Sequence, residues 1–137
     1  MLKNSNKSFG LLTREQFKEL SFKRDNYKCV FCNKPSDDPH HILDIKLFSD
    51  GGYYLDNCAS VCHEHHWIVE KTDISVEDVR KAAGIKNILL PENFDPTKVY
   101  DKWGNIILLN GRREPGPMFF EDNVQKILKD KIWLFNF

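Results

Sequence analysis

The spacing of apolar and polar positions predicts short elements separated by strong turn signals. Residues 1–12 read as a flexible tail. Thr13-Arg14-Glu15-Gln16 has capping-box form and opens a helix with Phe17, Leu20 and Phe22 on its apolar face. Turn formers at Asp25-Asn26 end it. Tyr27 to Pro35 holds a tight Cys29-x2-Cys32 knuckle. His40 to Phe48 is expected to be a strand, Ser49 to Gly52 a turn, and Asp56-Asn57 another. Ala59 to Cys62 is expected to return as a short strand, and His63 to about Lys71 to form a helix held by Trp67 and Ile68.

Beyond it, Ser75 is positioned to cap a helix that Gly84 terminates. Trp103 to Leu109 reads as a strand, Asn110-Gly111 as a hairpin turn and residues 112–117 as a loop bearing two arginines. Residues 121–133 read as a closing helix with Val124, Ile127, Leu128 and Ile132 on one side. Trp67 and Trp103 are expected in the core. The fold class expected is α+β, with one domain over 13–74 and a helix–strand–helix extension over 75–137 packed on it.

Composition changes this picture little. At 137 residues and 41% hydrophobic, the chain suits one globular domain. Its formal net charge is zero, so overall charge announces no nucleic-acid partner. The distribution is uneven, however. Residues 1–34 carry eight Lys/Arg against three acids, residues 35–101 six against thirteen. A basic stripe of this kind can track phosphates on a neutral protein. No apolar run of membrane-spanning length and no signal peptide are evident, so a cytoplasmic address without membrane contact is expected. In a reducing compartment, clustered cysteines read as metal ligands before disulfides.

All four cysteines and all five histidines lie within residues 29–66. Cys29-x2-Cys32 with Cys62-x2-His65 has the spacing of a closed, structural Zn²⁺ site. Cys58 sits at an apolar position and reads as core, with a reserve role as fourth ligand should His65 serve elsewhere. His40 and His41, adjacent on a strand, point to opposite faces, so one can bind a metal while the other activates a water.

The string FKRDNYKCVFC…HHI…DGG…DNCASVCHEHH, from about Phe17 to Trp67, resembles the HNH endonucleases in their zinc-knuckle form. The resemblance implies a ββα-metal finger. It implies His41 as general base, Asn57 as the middle residue that holds the site in place, and His40 and His66 as ligands of a catalytic ion. His40 stands where the family often has an acid, which favours Mn²⁺, Ni²⁺ or Zn²⁺ alongside Mg²⁺. The chain departs from the family in having His65-His66 for Cys-His, and Cys58 where an aliphatic residue is common. The implied activity is hydrolysis of DNA, with RNA or branched nucleic acid as other substrates, leaving 5′-phosphate and 3′-hydroxyl ends.

Lys23, Arg24 and Lys28 beside the knuckle, and Arg112 and Arg113 in the later loop, are the expected phosphate contacts. Small members of the family include phage packaging-associated, homing and restriction enzymes, so packaging or restriction proteins are candidate partners. The chain would act as a monomer or homodimer. Two other readings compete. One is a zinc-stabilised binding module without catalysis. The other is a zinc deaminase, which His63-Glu64 fits poorly because no Cys pair follows it.

Overall fold

Thr13 starts the first helix as its tetrad predicts. Its Oγ1 accepts from the Gln16 N–H at 3.1 Å, and Gln16 Oε1 accepts from the Thr13 N–H at 3.0 Å. The computed structural model describes residues 10–136, and in it this helix, α1, spans Arg14–Arg24. Phe17 and Ser21 face inward. Most of the expected tail lies outside the described residues. Its last member, Leu12, is buried, with its N–H on the Tyr53 carbonyl at 2.8 Å.

After the knuckle, β1 (Asp38–His41) pairs antiparallel with β2 (Cys58–Val61), with His41 opposite Cys58 and Asp38 opposite Val61. The strand expected to reach Phe48 therefore stops at His41. Beyond it the partner strand has ended, and Asp44 Oδ2 accepts from the Lys46 N–H at 3.1 Å, capping a 3-10 turn over Ile45–Leu47. Backbone groups that lack a ladder must find other partners, and this turn supplies them. A second 3-10 turn, Leu55–Asn57, leads into β2. Helix α2 (His63–Glu70) follows directly, capped by Cys62.

Helix α3 (Val76–Ala82) begins at Ser75, whose hydroxyl accepts from the Asp78 N–H at 3.1 Å. Gly84, at φ +71°, adopts the left-handed conformation that closes it. Strands β3 (Val99–Tyr100), β4 (Ile106–Ile107) and β5 (Arg113–Glu114) form an antiparallel meander. Trp103 lies in the turn before β4 instead of in a strand. The buried Asp101 carboxylate accepts from the N–H groups of Trp103 at 2.9 Å and Asn105 at 3.0 Å, bending that segment. The closing helix is shorter than expected: α4 (Asp122–Ile127) gives way at Leu128 to a 3-10 stretch, Lys129–Leu134.

One apolar cluster joins Ile42, Leu43, Ala59 and Val69 to Val76, Val79 and Ala83, so the core runs continuously across residue 74. A second gathers Trp103, Met118, Phe119, Val124, Leu128 and Phe135. Trp67 is corrected: it is 54% exposed, because His63, Glu64 and Trp67 form the outward face of α2 while Val69 faces the core. Among the described residues, no helix is long and apolar enough to cross a membrane.

Candidate metal centres

The knuckle and the start of α2 bring four soft ligands together. Asn33, at φ +65°, turns the knuckle, and the Cys29 N–H donates to the Lys34 carbonyl at 2.7 Å. Sγ of Cys62 lies 3.7 Å from Sγ of Cys32 and 3.3 Å from Nδ1 of His65. The ligand atoms of Cys29, Cys32, Cys62 and His65 all lie within 4.8 Å of one another, and the four cysteines are free. This set can bind a metal such as zinc. Burial alone would push the Cys29 thiol up, but backbone N–H groups of Cys62, Phe31 and Cys32 draw it below its ordinary value. That favours the thiolate a metal needs. Cys58 stands apart in the core beside Phe17 and Leu55, its thiol pushed up to about 12 by burial.

A second constellation combines His40 of β1 with His66 and Glu70 of α2, again within 4.8 Å of one another. Nδ1 of His40 is buried and lies 3.4 Å from Oε2 of Glu70, an ionic contact without hydrogen-bond geometry. Nε2 of His66 is 3.9 Å from the same oxygen. Asp38 Oδ2 is 3.1 Å from Nδ1 of His66. A carboxylate accepts, so a hydrogen bond here is donated by Nδ1 of His66 to Asp38. Glu70 is a site residue that sequence reasoning missed. Its signal was present, since four residues beyond His66 on a helix is the same face.

His41 takes the opposite side of β1. Its ring stacks on Phe17 at 4.4 Å and meets Tyr53 edge-on at 4.8 Å. Burial, then the Lys102 ammonium, lower its pKa to about 4, and lower that of the fully buried His40 to about 3. Both rings are neutral near pH 7. Asn57 is buried with its amide fully used. Its Oδ1 accepts from the Leu43 N–H at 2.9 Å, and its Nδ2 donates to the carbonyls of Leu43 at 3.0 Å and Gly52 at 3.2 Å. It staples the segment that leaves His41 and leaves no amide hydrogen for a substrate.

Lys102, from the later half of the chain, was also missed. Its buried Nζ donates to the His41 carbonyl at 2.9 Å and pairs with Glu70 at 3.2 Å and Asp44 at 3.5 Å. Trp103 Nε1 donates to the Glu70 carbonyl at 2.8 Å beside it. Burial alone would push Glu70 up, but His40 and Lys102 bring it down to about 2.

The expected phosphate contacts divide. Lys23 and Lys28 are exposed. Arg24 is corrected to an internal clamp: its guanidinium binds Asp25 and donates to the carbonyls of Leu55 at 3.0 Å and Cys58 at 2.7 Å. Arg113 is corrected likewise, because it is buried in β5 with Nη1 on Asp101 and Thr72. Arg112 braces the last residues through Asn136 and the Phe135 carbonyl. No family model, curated protein or solved structure matches this chain.

Proposed function

We propose that the chain is a metal-dependent endonuclease of the HNH type that hydrolyses DNA, with β1, β2 and α2 as its ββα-metal finger. One observation carries the reading. Adjacent histidines divide between the faces of β1, His40 toward His66 and Glu70, His41 toward Phe17 and Tyr53. That division gives a ligand and a base separate places on one short strand.

The residues fit a cation. A buried imidazole nitrogen that makes no hydrogen bond, beside a carboxylate and a second imidazole, is a ready donor set. Mg²⁺, Mn²⁺, Ni²⁺ or Zn²⁺ held by His40, His66 and Glu70 would supply Lewis acidity to the phosphate and to the departing 3′-oxygen. His41, neutral near pH 7, accepts a proton from the attacking water. The water oxygen bonds to phosphorus and the P–O3′ bond breaks, the departing oxygen taking a proton from solvent water, which leaves 5′-phosphate and 3′-hydroxyl ends. Asn57 and Lys102 act as positioning residues, one through the loop at Leu43 and the other through the His41 carbonyl. Exposed Lys23 and Lys28 can meet flanking phosphates.

The test is a supercoiled plasmid incubated with the purified chain and Mg²⁺, Mn²⁺ or Ni²⁺, with and without chelator. Nicked circles that need the metal are expected. Intact plasmid with every metal would overturn the proposal.

A further inference from the structure

Arg80 carries a guanidinium that the fold leaves without a counter-ion among the described residues. It lies on α3, 7% exposed. Among the described residues its side chain has no hydrogen-bond partner, and no carboxylate lies within 4.0 Å of its guanidinium. Glu77, one turn earlier, acts on it only from farther away, and burial draws its pKa down. The other buried cations are matched: Lys102 by Glu70 and Asp44, Arg113 by Asp101. The Arg80 nitrogens are not among the fully enclosed unpaired polar atoms, so the guanidinium edge stays open to a partner, and a guanidinium is built to take an oxyanion on its two-pronged edge.

Arg80 lines a cavity of about 210 Å³ between α3 and the segment approaching β3. Its walls are largely apolar, including Leu43, Val76, Leu90 and Tyr100. Lys98 and Glu77 are the other charged residues at its lining. With Arg80 they leave a single net positive charge. That balance suits a monoanion, since a dianion would meet Glu77 uncompensated. The volume is below the ~300 Å³ at which ordinary ligand pockets begin, so the occupant is small. Apolar walls favour a hydrocarbon body over a bare hydrated ion.

We infer that this cavity is a binding site for a small carboxylate with an apolar body, its carboxyl group on Arg80. The site is separate from the two metal centres and does not depend on the nuclease reading.

Titration of the full chain with propionate, hexanoate and benzoate tests it, read by thermal midpoint and by NMR of the Arg80 Nε–H and the Leu43 and Tyr100 amides. Benzamide, which keeps the shape without the charge, and inorganic phosphate, which keeps the charge without the body, are the controls. At least one carboxylate is expected to saturate and shift those resonances, and both controls to bind at least about tenfold more weakly. Arg80→Lys should retain binding within about tenfold, and Arg80→Met should lose it. A saturating carboxylate should raise the thermal midpoint of the parent and leave that of Arg80→Met unchanged. The inference is overturned if benzamide or phosphate binds as well as the carboxylates. It is equally overturned if no carboxylate binds more tightly than roughly 10 mM, or if a carboxylate raises the midpoint of Arg80→Met as much as that of the parent.

Discussion

The ammonium of Lys102 donates to the carbonyl oxygen of His41 at 2.9 Å, across 61 residues of chain. This bond ties the later half of the molecule to the backbone of the proposed base. The same nitrogen offsets Glu70 and Asp44, so one buried lysine holds both the base-bearing strand and a proposed metal ligand.

Lys102→Met should therefore cost more than a packing change. It leaves Glu70 and Asp44 without their cation, and breaking a buried pair on one side costs about 3 kcal/mol. Urea denaturation should show a loss of that order. A loss below about 1 kcal/mol would mean that the lysine is not holding the two halves together.

Asn57→Ala removes three hydrogen bonds from a buried amide and leaves Leu43 and Gly52 groups unpaired. A destabilisation of about 2–3 kcal/mol is expected, with slower cleavage because the segment leaving His41 loosens. Asn57→Asp restores the acceptor but not the two donors, so it should rescue little. Full rescue by aspartate would contradict the staple.

Stability of the protein without added catalytic metal should fall as pH drops below about 6.5. His40 and His41 are lowered from 6.5 to about 3 and about 4, so below 6.5 the unfolded chain takes up protons that the folded chain refuses. Glu70 is lowered from 4.5 to about 2, so its contribution is present above 4.5 and lost as pH falls toward 2. All three act in the same direction. Urea midpoints over this range should decline less steeply for His40→Leu than for the parent, and equal slopes would refute the assignment.

The knuckle makes a separable prediction. Cys32→Ser or His65→Ala should lose a tightly held zinc and loosen the start of α2, whereas Cys58→Ala should keep the full zinc content. Elemental analysis of the purified variants decides this. Zinc loss in Cys58→Ala would redraw the ligand set.

Local chemistry was legible before the structure. The capping box at Thr13, the x2 spacing of Cys29 and Cys32, the stop at Gly84 and the division of His40 from His41 depend on neighbours within a few residues. Long-range burial was not. Lys102 looked like one lysine among many because its partners lie at 41, 44 and 70. Arg24 and Arg113 looked like surface cations because nothing nearby in sequence reveals the carbonyls and carboxylate that hold them. Trp67 is expected in the core, yet its position puts it with His63 on the outer face.

His41→Ala tests the central claim most directly. The substitution removes a ring that packs on Phe17 and Tyr53, on the opposite side of β1 from His40, so zinc content and circular dichroism should match the parent. Plasmid nicking in saturating Mn²⁺ should then fall by about 10²–10⁴-fold, the usual worth of a positioned base. A folded, zinc-loaded His41→Ala protein that nicks at the parent rate would contradict the account.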